Sequence, residues 1–169
     1  IVYCVELPCP DSRGTGSVQV TDKHMELWKV SEQDLYEQAM ENMAESDRAS
    51  IFSLADIFAD IPAILPGAVP EETCPMYIMT NQSKFNGAIQ ILNKDALEKA
   101  AGMIGQDFFI LPSSIHETIL VPAGETDAAP RELAAMVSQV NETEVSEEEF
   151  LSGHVYHYCA ADGRITIAA

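Results

Sequence analysis

An α+β fold is what this sequence predicts, with a largely antiparallel sheet built from strand pairs that alternate with helices packed mainly on one face. Three observations carry that expectation. Short runs rich in β-branched and aromatic residues come in pairs, parted by Pro, Asp, Asn or Gly. Between the pairs lie stretches in which apolar residues recur at helical spacing. The two kinds of segment alternate along the chain, an order that favours antiparallel neighbours with helices laid against the sheet.

Taken in order, "IVYCVELP" reads as a strand and "SVQV" as its partner, across a loop containing Pro10, Asp11 and Gly14. "TDKHMELWKV" gives a short helix, with Trp28 expected as a core or edge anchor. Ser31 and Asp34 mark the start of a longer helix, in which Leu35, Ala39 and Met43 form an apolar stripe with Tyr36 and Met40 beside it. A short helix is expected from Ser53 to Asp60, after which Pro62, Pro66, Pro70 and Pro75 rule out any long regular element. "MYIMTNQSKFNGAIQIL" reads as two strand-like runs around a turn. Next comes a helix capped by Asn93 and stopped by Gly105. "FFILP" and "HETILVP" form a further strand pair, followed by a helix from Pro130 with Leu133, Met136, Val137 and Val140 on one face. Ser146 and Glu149 have the spacing of a capping box, and "HVYHYC", "ADG" and "RITIA" read as a closing hairpin.

A chain of 169 residues suits one domain, expected to run over 1–169 with the Pro-rich stretch 61–75 as an internal connection. Its opening on Ile1 in an apolar run points to an N-terminal region missing upstream. The formal charge of −18 repels phosphate backbones and anionic lipid, which excludes nucleic acid and membrane surfaces as expected partners. No apolar run has the length of a membrane span, and no signal-peptide pattern is present. Cys4, Cys9, Cys74 and Cys159 lack C-x-x-C spacing and are sparse for a disulfide framework, so the expectation is reduced thiols in a cytoplasmic protein.

The residues with chemistry gather in three places. In "PSSIHET", Ser113, Ser114, His116 and Glu117 hold the residue types of acyl transfer, which requires a serine within hydrogen-bond reach of a histidine oriented by a third group. No G-x-S-x-G elbow or S-x-x-K supports them, and serines after a proline also close turns through their own hydroxyls. On an extended strand Ser114 and His116 would share a face and Glu117 would oppose it. In "HVYHYC", His154, His157 and Cys159 are acceptable zinc ligands, but a spacing of three diverges on a strand and only His157 and Cys159 share a face. In "TNQSKFNG", Asn81, Lys84 and Asn86 are candidate binding residues, although Asn and Gly are also what tight turns require. No P-loop, dinucleotide-type Gly pattern, H-E-x-x-H or EF-hand loop occurs, so no cofactor is implied.

In "MYIMTNQSKFNGAIQIL", "DFFILPSSIHETILVPA" and "VNETEVSEEEFLSGHVY", with "VTDKHMELWKVSEQDLYEQAMEN" ahead of them, the chain resembles a bacterial family of unknown function that is frequent in gut Clostridia and their relatives. The resemblance spans nearly the whole chain. It implies a bacterial, cytoplasmic protein of which this is the C-terminal domain, and it assigns no catalytic residue. The expected function is a non-enzymatic binding or regulatory domain with an acidic surface, whose partner is a protein, a peptide or the missing N-terminal region. The alternatives are a hydrolase or metal-dependent enzyme built on His116 and Ser114, and an immunity- or antitoxin-like protein that neutralises a basic partner.

Overall fold

A computed structural model of the chain describes residues 2–8, 15–45, 48–59, 75–112, 114–124, 129–143 and 145–169. Two compact units divide it, Ile1–Ser46 and Asp47–Ala169. The expected connection over 61–75 lies outside the described residues except for Pro75, as do Cys9, Cys74 and Ser113.

In the first unit β1 (Cys4–Pro8) pairs antiparallel with β2 (Thr15–Gln19), the expected opening hairpin. α1 (Asp22–Trp28) ends where Lys29 turns left-handed at φ 58°. Trp28 is no core anchor: it is 44 % exposed and its ring stacks on His24 with centroids 5.3 Å apart. α2 (Glu32–Glu45) begins at the predicted cap. There the Asp34 carboxylate accepts from both the backbone N–H and the hydroxyl of Ser31, each at 2.7 Å, and the Ser31 hydroxyl accepts from the Asp34 N–H at 3.2 Å. That reciprocal pairing satisfies donors which the first helical turn otherwise leaves orphaned.

The second unit is built on a six-stranded sheet whose pairings are all antiparallel: β3 (Ala49–Ser53), β4 (Tyr77–Asn81), β5 (Phe108–Leu111), β6 (Thr118–Pro122), β7 (Tyr156–Cys159) and β8 (Arg164–Ile167). Their order across the sheet is β3-β4-β6-β5-β7-β8. α3 (Leu54–Ala59), α4 (Lys94–Ile104) and α5 (Pro130–Thr143) complete the unit, and the fold is α+β. β3 has no counterpart in the sequence reading, because "ASIFS" is short and its apolar residues run straight into the helical pattern of α3. The second strand-like run of "MYIMTNQSKFNGAIQIL" is instead a 3₁₀ helix, Gly87–Leu92, which buries Gly87, Ala88 and Gln90 and leaves Ile89 41 % exposed. A short apolar run does not declare its period, and here the tertiary setting selects the tighter helix.

One part of the expected architecture is corrected. Helices cover both faces of the sheet, not mainly one. Ala96, Leu97 and Ala100 of α4 pack with Met79, Phe108, Ile110, Leu120 and Tyr158 on one face. Leu133 and Val137 of α5 pack with Leu111, Val121 and Val155 on the other. The central strands "FFIL" and "TILVP" are therefore apolar at successive positions, as strands covered on both sides must be, where a half-solvated strand would alternate. α4 carries the caps expected of it: the Asn93 side chain accepts from the Ala96 N–H at 3.2 Å, and Gly105 closes the helix at φ 81°.

Candidate functional site

β5 and β6 form the hairpin that the sequence suggested, with Leu111 opposite Ile119, and Pro112 and residues 114–117 lie in the loop that connects them. Two further segments dock on this loop. Ala88 at the start of the 3₁₀ helix donates its N–H to the Ile115 carbonyl at 3.0 Å, and the Ile115 N–H reaches the Glu149 carbonyl at 2.9 Å. Ser114 and Phe150 add an isolated antiparallel bridge. "PSSIHET", "TNQSKFNG" and "SEEEF", distant in sequence, are thus one surface.

His116 sits at their junction with its side chain 26 % exposed. Its Nδ1 accepts the backbone N–H of Asn86 at 3.1 Å, which assigns the neutral ring's proton to Nε2. Nε2 faces the Glu149 carboxylate at 3.5 Å. The Phe85 ring packs on the imidazole, centroids 5.3 Å apart. The His116 carbonyl accepts the Thr80 hydroxyl at 2.7 Å, and its backbone N–H donates to the Ser114 hydroxyl oxygen at 3.0 Å. Ser114 and His116 are thus joined through the backbone of a turn, whereas general-base activation needs the hydroxyl against the ring. Glu117 is exposed and makes no hydrogen bond or ion pair among the described residues. Ser113 lies outside them.

The loop that carries Asn86 is shaped by its own residues. Asn81, 1 % exposed, donates through Nδ2 to the Phe85 carbonyl at 2.7 Å and accepts the Phe85 N–H through Oδ1 at 3.2 Å. Lys84 and Asn86 take left-handed conformations at φ 56° and 54°. An asparagine tolerates that region because its short amide can bond locally. Gly87 follows because a Cβ there would meet the Thr80 hydroxyl together with Asn81 N and the His116 carbonyl oxygen, the last two at 2.6 Å. Gln90, wholly buried, accepts from the Asn93 side chain at 2.9 Å and so links this loop to the cap of α4.

The histidines and cysteine of the closing hairpin do not converge. His154 is exposed, and its ring lies edge-on to Tyr156 at 6.4 Å. His157 pairs with Asp107 at 3.5 Å, and its ring is steeply inclined to that of Phe109 with centroids 5.5 Å apart. The Cys159 thiol bonds the carboxylate of Asp162, which also accepts the Arg164 N–H, and together these hold that carboxyl below its ordinary range. Among the described residues no three His, Cys, Asp or Glu side chains are arranged to hold a metal. Cys4 and Cys159 are free thiols.

Three partners of His116, namely Glu149, Phe85 and Thr80, were not tied to it by the sequence. Glu149 belongs to the expected capping box, but residues 147–149 form a turn closed by the Glu149 and Phe150 N–H groups on the Ser146 carbonyl, both at 3.0 Å. The signal was present: "SEEEFLSG" meets a glycine before any apolar period can develop. Phe85 and Thr80 carried no such signal, since their roles arise from contact across the sheet.

No helix among the described residues is long and apolar enough to cross a membrane. No curated protein and no solved structure is significantly similar to the chain. A family described only as a family of unknown function, DUF5688, matches residues 1–160, so the resemblance carried by the three docked segments extends through both units and the chain belongs to the DUF5688 family.

Proposed function

We propose that this chain is a non-enzymatic, acidic binding domain of a bacterial cytoplasmic protein, and that its partner is another protein or a peptide. One observation carries the proposal: the side chains that resemble catalytic machinery are occupied in joining three segments. The Ser114 hydroxyl closes a turn, and the lone pair of His116 Nδ1 is taken by the Asn86 amide. A general base needs that lone pair directed at a substrate proton. The net charge of −18 adds a long-range attraction for basic partners. The free thiols of Cys4 and Cys159 agree with a reducing compartment.

The test pairs a search for turnover with a measurement of binding. Ester, amide and phosphoester substrates are offered to the purified chain and to its Ser114→Ala and His116→Ala variants. Arginine-rich and lysine-rich peptides are then titrated against the parent. The expected result is no turnover that depends on either residue, and peptide binding that weakens as salt rises. Turnover abolished by either substitution would replace this role with a hydrolase built on Ser114 and His116.

A further inference from the structure

We propose that the surface around Phe85 and Phe150 is the docking site for an arginine-bearing stretch of a protein partner, an inference that rests on the binding role above. Both rings stand about half in water, Phe85 at 44 % and Phe150 at 49 % exposure. Each is presented on a fixed backbone. Asn81 grips both the N–H and the carbonyl of Phe85, and the ring is backed by His116. Phe150 is bridged to Ser114, two residues from His116, with its N–H on the Ser146 carbonyl. Exposed apolar surface rimmed by polar groups marks interaction sites, and rings ordered in advance lose little entropy when a partner arrives.

The rim identifies the partner's chemistry. Glu147 and Glu148 precede Phe150 in the turn, and Glu117 follows His116. All three are exposed, and none is in an ion pair among the described residues. Glu149 is engaged with His116, and Lys84 is the neighbouring cation in the loop. Exposed carboxylates in the same turns as exposed aromatic rings suit a guanidinium, which stacks on a ring while its N–H fork meets a carboxylate. Lysine offers a compact, strongly hydrated charge with no plane to stack, so arginine is the better fit.

Fluorescence anisotropy with a labelled peptide of alternating arginine and glycine, and with its lysine counterpart, tests the site. The expected result is tighter binding of the arginine peptide, weakened about fivefold or more by Phe85→Ala and by Phe150→Ala, neither of which changes the charge. Phe85→Leu, which keeps apolar bulk at the loop, loses the same preference for arginine. The pair Glu98→Gln with Asp162→Asn removes two carboxylates near Tyr158, which pairs with Phe108 at the end of β5 away from this loop, and changes affinity by less than about twofold. Parent-like binding by the folded ring variants would overturn this site and leave the acidic binding role standing on diffuse charge. Failure of the parent to bind either peptide would overturn both.

Discussion

The backbone N–H of Asn86 donates to Nδ1 of His116 at 3.1 Å, joining the loop after β4 to the β5–β6 connection across 30 residues of sequence. The bond accompanies a tight bend of the chain, with Asn86 at φ 54° and Gly87, which has no Cβ, lying against the His116 carbonyl. It makes the most reactive side chain of the surface a structural bracket.

Removing the bracket should therefore lower stability. His116→Ala leaves the partly buried Asn86 amide unpaired and releases Glu149, and the expected loss is about 1–2 kcal/mol by urea denaturation. His116→Asn places an oxygen near the position of Nδ1 and should recover about half of that loss. His116→Gln places its amide near the Nε2 position and should recover less. Equal losses in all three variants would mean that the Asn86 bond contributes nothing.

The Ser31–Asp34 cap predicts an acid dependence in the first unit. The Ser31 backbone N–H and then its hydroxyl hold the Asp34 carboxyl below its ordinary range. A carboxyl depressed in the folded state adds stability that is complete above the unfolded-state value and is lost as pH falls through the lower folded value. The start of α2 should thus fray only in acid below the usual carboxylate range. Side-chain NMR titration checks it. In Ser31→Ala the Asp34 midpoint should move up as the hydroxyl bond is lost, with the retained backbone bond limiting the shift. An unmoved midpoint would remove the hydroxyl from the account.

Local chemistry was the legible part of this fold. Ser31 with Asp34, Asn93, Gly105 and Pro130 each act within a few residues of themselves, and each marks the helix end that the sequence assigned to it. The hairpins over β5–β6 and β7–β8 were legible for the same reason. What lay beyond reach depended on contacts across the sheet. Whether "GAIQIL" became a strand or a 3₁₀ helix was decided by the burial of Gly87 and Gln90 against other segments. At the candidate site the sequence singled out Asn81, Lys84, Asn86, Ser114 and His116 in two separate stretches. Nothing within either stretch says that they meet, or that the carboxylate facing His116 comes from Glu149.

The continuous apolar strands carry a prediction for the core. Phe108 is fully buried, stacked on Tyr158 with centroids 4.8 Å apart, in the layer beneath α4. Phe108→Ala should cost about 3–5 kcal/mol, the sum of lost transfer energy and a cavity that the rigid sheet cannot close. Phe109 is only partly buried and meets the His157 ring on the opposite face, so Phe109→Ala should cost clearly less. Equal losses in chemical denaturation would mean that the two faces are not packed differently at this strand.

Two glycines should respond to alanine in opposite directions. At Gly87 two of the atoms that a Cβ would meet, Asn81 N and the His116 carbonyl oxygen at 2.6 Å, belong to the backbone and cannot swing away. Accommodating the methyl group means separating the loop from the hairpin, so Gly87→Ala should cost about 3 kcal/mol or more, with loss of the Asn86–His116 bond. Gly102 lies inside α4, and a Cβ there would have nothing within 4 Å. Gly102→Ala should stabilise the protein by about 0.5–1 kcal/mol, because alanine restricts the unfolded chain and favours the helix. Thermal melts of the two variants, read beside the His116 ring signals by NMR, separate the effects: a lowered midpoint with displaced His116 resonances for Gly87→Ala, and a raised midpoint with unmoved resonances for Gly102→Ala. A Gly87→Ala variant as stable as the parent would mean that the loop stands away from His116, and the docking of the three segments would have to be abandoned.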